Sequence, residues 1–401
     1  MSKMQNTLSS ERLWTWKFLM LIAINFGSGV AGYMTVPLVA KYVMTFGADI
    51  TTASAVSGIL SLVAMFMCPV AGVLSDRINK KKLLIITEAA YAVCLGLHAF
   101  ARSLIALLLL RAVTGIFFSL SNVLTIAYAS SYIPKSRMGE GLGYFGLVVP
   151  LVQAAGPSIG LGLRDSIGYG AVFTGAAIAA LAAMICVAVL PYNAPEPSGQ
   201  KKTLKFNDIF AVRFIWLMLL TALFSSANGL ISTYLDILAS ERSITNISIF
   251  FTVFSVVLII FKPLTGKLLD SRGMYLVIIP AVVFAALGMF FVGIASSLWV
   301  MLIAAVCKAL GQGAGTPTIQ AHAVKMLDKS HSGVAVSTIQ IGQSLGNSIA
   351  PVLGSFLVKP FGYTTMFCGF GGIILVAGFL FLILQARREK KVPNSKIVTT
   401  D

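Results

Sequence analysis

Charged residues are scarce in this chain. Only 11% of its 401 residues are Asp, Glu, Lys or Arg, whereas soluble globular domains average about 25%. Hydrophobic residues make up 57% of the chain, and the mean hydropathy is +0.89. This composition excludes an ordinary soluble domain and a soluble nucleic-acid-binding protein, in spite of the net charge of +16. We therefore expect a lipid bilayer, and no nucleic acid, as a partner.

Cysteine and histidine are also few, and their positions do not suggest metal or redox chemistry. The five cysteines lie inside apolar runs, without CxxC spacing and without companion histidines, so neither a disulfide framework nor a metal site is predicted. A Walker-type phosphate loop is missing, which argues against an ATP-driven pump. No nucleophile–base arrangement is visible. We therefore expect no cofactor, no metal and no enzymatic activity.

Long apolar runs fill most of the sequence. A run of about 18 or more apolar residues can cross a bilayer as a helix, and twelve such runs are predicted here. A proline-rich polar segment, Pro191–Lys202, separates the sixth run from the seventh. The predicted spans are 18–40, 51–71, 83–102, 104–128, 141–163, 170–190, 212–237, 246–264, 275–295, 298–320, 333–357 and 364–386.

These runs predict an all-α integral membrane protein with two six-helix bundles. The first bundle is expected in residues 1–190 and the second, with a short tail, in residues 211–401. Residues 191–210 are the expected linker between them. We expect the protein to be a monomer.

Lysine and arginine are distributed unequally between the two sets of turns. Most of them lie at the chain termini or in turns on the same side as the termini. Because cytoplasmic loops carry the excess of basic residues, we predict that both termini are cytoplasmic and that the membrane is the plasma (inner) membrane. The only lysines and arginines in the predicted outer loops are Lys41, Arg102, Arg164, Arg242 and Lys359.

An internal repeat relates the two halves. Many glycines, prolines and aromatic residues of the first half recur 194 positions later. The pairs include Pro69/Pro263, Gly72/Gly266, Leu74/Leu268, Asp76/Asp270, Gly139/Gly333, Pro157/Pro351, Gly160/Gly354 and Phe173/Phe367. So many matches in one register indicate two halves of the same orientation, related by an axis along the membrane normal.

A charged turn, residues 72–82, follows the second span, and a shortened copy at residues 266–273 follows the eighth. These residues resemble the signature loop of the major facilitator superfamily, and the resemblance covers essentially the whole chain. It implies twelve helices in two pseudo-symmetric bundles and a gating motif in this loop. The implied motif residues are Gly72, Asp76, Arg77, Lys80, Lys81, Gly266, Asp270 and Arg272.

The resemblance also implies what the motif does. In relatives, the aspartate contacts the beginning of the eleventh helix, where a carboxylate meets the positive end of the helix dipole. The basic residues tie the two halves together, and Gly72 allows close helix approach. Asn79 stands where the family has glycine; we expect it to keep the turn because asparagine tolerates a left-handed backbone.

A second motif lies in the fifth span. Gly156, Pro157 and Gly160 resemble the Gly-Pro motif of the antiporter branch of the family, which favours export. The alternative is an ordinary proline kink, in which the lost backbone hydrogen bond bends the helix.

Charges inside the spans are candidates for substrate binding or coupling. Arg111 with Gly115 resembles the fourth-helix motif of the family, and Lys308 lies ~15 Å into its span. A buried charge there costs roughly 2.5–3.5 kcal/mol, so such residues usually face a cavity; the alternative for Lys308 is a buried ion pair. Glu88 and Asp236 are scarce in-span carboxylates. A proton-coupled carrier needs a group that changes protonation, and the sequence does not choose among Asp236, Glu88 and Lys308.

Amide side chains inside the spans complete the candidate set. They could line a substrate pathway, or they could be hydrogen-bonding contacts between helices. The candidates are Asn25, Asn122, Asn228, Gln312, Gln340 and Gln343.

The function implied by these residues is secondary-active transport of a small organic solute by alternating access, with proton-coupled export as the leading form. Uptake of a small organic anion is the alternative, favoured by a cavity that would hold Arg111 and Lys308 and few acids. A non-transporting membrane receptor or scaffold is the alternative from another class. The intact signature loop argues against it, because a scaffold has no need of a gating charge network.

Overall fold

The computed structural model describes residues 13–134, 137–191, 214–325 and 332–391. Nearly all of the predicted linker lies outside the described residues, so the boundaries between the two bundles stay predictions. Over the described ranges the chain forms helices and turns, with no strand.

The first half contains six spanning helices. Helix α1 breaks at Pro37 and continues as a short helix, because proline removes a backbone donor and clashes with the preceding turn. A second short helix, Met138–Gly146, leads into α5. The helices are α1, Trp16–Thr35 continued by Val39–Met44; α2, Ile50–Arg77; α3, Lys80–Leu97; α4, Leu104–Ala129; α5, Val148–Ser166; and α6, Tyr169–Val189.

The second half repeats this arrangement. Its helices are α7, Ile215–Glu241; α8, Ser248–Arg272; α9, Met274–Ile294; α10, Leu298–Lys325; and α11 and α12, which share the continuous segment Ser332–Lys391. Gly362, with φ of +76°, divides α11 from α12. This backbone region favours glycine, which has no Cβ to clash.

Eleven helical segments of the described chain are long and apolar enough to cross a membrane. The last of them, Thr338–Arg388, has 51 residues. At 1.5 Å per residue it would be about 77 Å long, more than twice the ~30 Å hydrocarbon core. Since Gly362 divides this segment, it crosses twice, and the predicted twelve-span fold is confirmed.

The helices place the chain turns at two ends of the bundle. We call the end that holds the beginning of α1 and the end of α12 the terminal face, and the opposite end the distal face. Helix α2 therefore begins at the distal face and ends at the terminal face. Helices α3 and α5 run the other way.

The turn after α2 differs from its prediction. Asn79 has φ of −56°, so it is not in the left-handed conformation that we expected. Its side chain instead accepts a hydrogen bond of 3.2 Å from the backbone N–H of Lys82 and caps the beginning of α3. Asparagine is a favoured N-cap residue, and this explains how the turn holds without the glycine of the family.

Small residues bring equivalent helices together in each half. A Cβ at Gly156 or Gly160 of α5 would collide with Tyr33 and Met34 of α1. Gly354 of α11 stands at the repeat position of Gly160 and packs in the same way against Leu230 of α7. The α1–α5 and α7–α11 contacts are thus the same repeated unit, and Pro157 lies within α5 without ending it.

The halves meet along two helix pairs, α2 with α11 and α5 with α8. A close contact of the first pair, at Gly58, lies about 12 Å from the distal face, at 1.5 Å per residue from the start of α2. A Cβ at Gly58 would lie 2.5 Å from the Ser348 carbonyl oxygen. This contact brings the distal parts of α2 and α11 together.

The α1–α5 contact generates a stability prediction. Gly160→Ala should lower the midpoint temperature of unfolding, because its methyl group would collide with the Met34 backbone and overpacking of this kind costs roughly 1–3 kcal/mol. Gly162→Ala is the matched control, since a Cβ there meets no atom within 4 Å. Both variants gain the same helix propensity, so the difference between their thermal unfolding midpoints in detergent isolates the contact. Equal midpoints would contradict the prediction.

Candidate functional site

An ion-pair cluster joins the two halves at the distal face. Asp236 of α7, only 3% exposed, accepts a hydrogen bond from the Arg164 guanidinium of α5. The Lys41 ammonium, on the short helix after α1, lies 3.5 Å from the same carboxylate oxygen. Lys41 also donates to the Ser240 hydroxyl at 2.5 Å. Two cations of the first half therefore hold one carboxylate of the second, and we call Lys41, Arg164 and Asp236 the distal latch.

Further polar contacts surround the latch. The Lys359 ammonium lies 2.6 Å from an Asp49 carboxylate oxygen, and hydrogen bonds from Lys359 and then Thr52 hold the pKa of Asp49 well below its usual range. Ser54 of α2 and Tyr234 of α7 share a hydrogen bond of 2.6 Å between their hydroxyls.

Among the described residues, polar contacts between the halves are concentrated near the distal face. The Ser158 and Thr252 hydroxyls lie 3.4 Å apart in the distal part of α5 and α8. Farther toward the terminal face, Lys262 of α8 donates to the Gly146 carbonyl at 3.2 Å. The distal end of the interface between the halves is therefore closed in this structure.

The structure describes only part of the predicted gating motif. The side chains of Asp76, Arg77 and Asp270 lie outside the described set, so their implied roles stay predictions. Gly72 and Gly266 have open space where a Cβ would stand. The expectation of close helix approach at Gly72 is therefore wrong for this conformation, because α2 and α11 make their close contact near the distal face.

The lysines of the motif contact their own half. Lys81 donates to the carbonyls of Ala188 and Leu190, at 2.8 and 2.9 Å, where α6 ends. Lys80 donates to the Ala127 carbonyl at 3.5 Å, near the end of α4. Cations at helix C-termini satisfy unpaired carbonyls and meet the negative end of the dipole. These two lysines tie helices of the first half together rather than joining the halves, and Arg272 is exposed.

Glu88 of α3 is fully buried inside the first half, with an exposed fraction of 0%. One carboxylate oxygen, Oε1, accepts hydrogen bonds from the hydroxyls of Ser28 at 2.7 Å and Ser121 at 2.5 Å. The other oxygen, Oε2, has no hydrogen-bond partner in the described part of the chain. The site joins α3 to α1 and α4.

Arg111 of α4 is also buried in the first half, with 2% exposed. Its guanidinium lies 3.5 Å from the Thr35 hydroxyl of α1, and its Nε has no partner among the described residues. No carboxylate of the described chain lies within ion-pair distance of it.

Lys308 of α10 lies inside the second half, with 6% exposed. Its ammonium donates to the Asn228 side-chain oxygen at 3.2 Å and lies 4.0 Å from the centre of the Phe254 ring. Asn228 in turn donates to Asn347 of α11 at 3.2 Å. An amide oxygen and an aromatic face thus hold this cation, and no described carboxylate pairs with it.

A small cavity adjoins Lys308 and is lined by residues of α7, α9 and α10 alone. Its polar groups are Lys308 and Gln312, whose Oε1 has no partner in the described chain. Arg111 does not line this cavity, and the expectation that Arg111 and Lys308 share a substrate cavity stays a prediction. Each cation is buried within its own half, with 2% of Arg111 and 6% of Lys308 exposed.

The remaining predicted amides divide into packed and exposed groups. Asn25 donates to the Phe145 carbonyl at 3.2 Å and joins α1 to the chain before α5. Asn122 of α4 and Gln340 of α11 are exposed, and Gln343 is half-buried. Exposed amides in spanning helices are costly in lipid but not in water.

Comparison with known proteins identifies the family. The profile of the Major Facilitator Superfamily matches residues 21–295 and 217–399, so the chain belongs to this superfamily. The multi-drug resistance efflux pump PmrA of Streptococcus pneumoniae is 24% identical over 383 residues, covering 92% of this chain and 95% of PmrA. The multidrug resistance protein MdtG of Citrobacter koseri is 24% identical over 386 residues, covering 91% and 94%.

A solved structure of similar shape supports the fold. The nucleoside transporter NupG (D323A mutant) superposes with a TM-score of 0.78 and 13% identity, over 92% of this chain and 99% of NupG. The predicted superfamily, with its likeness to the drug-efflux branch, is confirmed. The chain is a multi-pass membrane transporter and not an enzyme.

The distal latch is the part of the site that sequence reasoning missed. Lys41, Arg164 and Lys359 were predicted in outer loops and interpreted only as part of the topology. Their signal was that basic residues are rare on that side. An in-span carboxylate near the outer end of α7, Asp236, could have been matched to them. In the structure, Asp236 pairs with Lys41 and Arg164 of the other half and does not line the cavity beside Lys308.

The latch generates a prediction about conformation. Asp236→Asn should increase the population with an open distal face, because removing the carboxylate that Lys41 and Arg164 share destabilises the closed contact by about 1 kcal/mol or more, about a fivefold change in population. Spin labels at the exposed positions Ile167 and Trp299, in a cysteine-free background, would report the distance between the halves by double electron–electron resonance.

Asp165→Asn is the matched control. Asp165 is exposed and pairs with the same Arg164, but within its own half. The control should keep the wild-type distance distribution. An Asp236→Asn distribution identical to that of the wild type would show that the latch does not hold the distal face closed.

Proposed function

We propose that this transporter exports a small organic molecule from the cytoplasm across the plasma membrane in exchange for protons. The observation that carries the proposal is the near full-length similarity to PmrA and MdtG, which are named as multidrug efflux and resistance proteins. The Gly156–Gly160 motif supports the same direction. The terminal face would be cytoplasmic, because the basic turns lie on that side.

Exposed amides support a cavity that opens at the terminal face. Asn122 and Gln340 belong to helices of opposite halves, and both lie in the terminal part of their helices. A water-filled cavity would solvate them, whereas lipid would not. Together with the closed distal latch, this arrangement corresponds to the inward-open stage of alternating access.

Transport would then proceed by rocking of the halves. A solute enters from the cytoplasm while the latch is closed. The latch contacts then break, contacts form near the terminal face, and the solute leaves on the other side. Because a ligand shifts such an equilibrium only by its differential affinity for the two states, solute and proton must each favour one of them.

Purified protein in liposomes provides the test. Ethidium serves as a cationic probe and carboxyfluorescein as an anionic one, with the membrane potential clamped. Exchange of one proton for one ethidium should give about a tenfold accumulation per unit of pH gradient, since one pH unit corresponds to about 1.4 kcal/mol. Protein-free liposomes and a protonophore are the controls. If ethidium accumulation did not change with the pH gradient, proton coupling would be refuted.

Uptake of a small organic anion is the second candidate. The observation that favours it is the buried Lys308 ammonium, which no described carboxylate neutralises. Lys308→Ala should then lower carboxyfluorescein transport at least about tenfold, the effect of losing one charged contact worth about 1.4 kcal/mol or more. Lys262→Ala is the control, since Lys262 donates to the Gly146 carbonyl at the end of the short helix before α5 and does not line the cavity beside Lys308. Unchanged anion transport by Lys308→Ala would eliminate this candidate.

A further inference from the structure

The Glu88 carboxyl has hydrogen-bond donors but no counter-ion. It is fully buried, and Ser28 and Ser121 both donate to the same oxygen, Oε1. No Lys or Arg of the described residues lies within ion-pair distance. Burying an ionised carboxylate without a partner is very unfavourable, and such groups take up a proton instead. The free oxygen, Oε2, is where that proton would reside.

No charge on the surrounding helices compensates Glu88. Arg111 is ten residues from Ser121 along α4, about 15 Å at 1.5 Å per residue. Helix α6, which packs against α3, carries no charged residue. The other titratable and charged side chains of α1 up to Thr35, of α3, α4 and α6 and of the turn after α3 are Lys17, Tyr33, Lys80, Lys81, Lys82, Tyr91, Cys94, His98, Arg111, Tyr128, Tyr169 and Cys186. The lysines lie in the turns of α1 and α3 nearest the terminal face, and none of the Lys or Arg residues pairs with Glu88.

Two buried hydroxyl groups near Glu88 are available to bind water. The hydroxyls of Tyr91 and Thr125 are buried and have no hydrogen-bond partner among the described residues. Buried polar groups are nearly always bonded, to protein or to water. Thr125 lies one turn from Ser121 on the same face of α4, toward the terminal face, and Asn122 beside it is exposed. A water molecule bound to the Thr125 hydroxyl would lie between the Ser121 side of the Glu88 site and the terminal face.

We propose that Glu88, held by Ser28 and Ser121, is the site that binds and releases the coupling proton. This inference rests on the proposed proton-coupled export. The proton adds to Oε2 of the carboxylate and forms the neutral acid while the distal face is open. In the conformation described here, where Glu88 is fully buried, the acid still holds this proton. The proton then returns to water at the terminal face before the halves rock back. The two serine hydroxyls then stabilise the carboxylate that remains.

The position of Glu88 explains how its protonation reaches the latch. Ser28 lies on α1, beside Gly29, which packs against Val152 of α5. Helix α1 leads through the break at Pro37 to Lys41, and α5 leads to Arg164. A change in the Ser28–Glu88 hydrogen bond thus acts on the two helices whose distal ends hold Asp236.

Infrared spectroscopy of the purified protein tests the site without any substrate. The wild type should show the carbonyl band of a buried protonated carboxylic acid, and the band should disappear reversibly as the pH is raised. Glu88→Gln should lack the band, since its side chain has the same shape but cannot ionise. Glu241→Gln, which changes an exposed carboxyl, should keep it. A band that persists in Glu88→Gln would overturn the proposal.

Ethidium transport in liposomes tests the role of the site. With a pH gradient of one unit, the wild type and Glu241→Gln should accumulate ethidium about tenfold. Glu88→Gln should still exchange ethidium across the membrane at equilibrium but should accumulate none. Exchange without accumulation separates this result from misfolding, and Ser121→Ala should shift the pH at which the infrared band disappears.

The results distinguish the two proposals. Wild-type accumulation that persists in Glu88→Gln would overturn the role of Glu88 and leave proton-coupled export intact. Failure of the wild type itself to respond to the pH gradient would overturn proton coupling, whatever the infrared spectra show. If Glu88→Gln neither exchanges ethidium nor gives a monodisperse preparation, Glu88→Asp is tested in its place. This variant should keep the infrared band and partial accumulation, and loss of the accumulation with the band intact would contradict the proposal.

Discussion

The closed arrangement of this protein depends on one carboxylate that two cations share across the interface between the halves. Asp236 is the second half's contribution, and Lys41 and Arg164 are the first half's. Because the cluster is largely buried, solvent screens it less than it would a surface pair. Opening the distal face would expose all three charges to water, and hydration would compensate for the lost attraction. This balance allows a strong contact to remain reversible.

The other buried charges are arranged differently. Arg111 and Lys308 lie within separate bundles. Arg111 contacts a hydroxyl group, and Lys308 contacts an amide oxygen and an aromatic ring. Glu88 is held by hydroxyl groups. A charge without a fixed counter-ion responds strongly to any proton or ligand that arrives, whereas a paired charge does not. The molecule therefore separates a paired cluster that holds conformation from unpaired groups that are free to respond.

The fold was predictable from the sequence because its determinants are local or repeated. Apolar runs predicted the spans within a few residues at most helix ends, and repeat pairs such as Gly160 and Gly354 predicted two halves of the same orientation. The site was less predictable, since hydropathy reports the depth of a residue but not its direction. Lys308 and Arg111 were placed at a plausible depth, but the sequence could not show that each is buried against a hydroxyl, an amide or an aromatic ring of its own half.

The signature loop shows a second limit. The sequence identifies Gly72 and Lys81 as parts of a motif, but their contacts depend on the conformation of the transporter. With α2 and α11 in close contact near the distal face, Gly72 has no neighbour and Lys81 caps α6. One sequence must fold into both conformations. Residues that change partners between the two conformations therefore cannot be assigned a single set of contacts from the sequence.

The junction at Gly362 has a mechanical consequence. Because α11 and α12 join there without a loop, a tilt of α11 at the interface between the halves must be passed to α12. Several apolar side chains of α12, including Val376 and Ile383, are exposed on its outer surface, and lipid would surround them. Each rocking motion would therefore displace lipid at the edge of the second half. The thickness and stiffness of the surrounding bilayer thus become part of the energy difference between the two conformations.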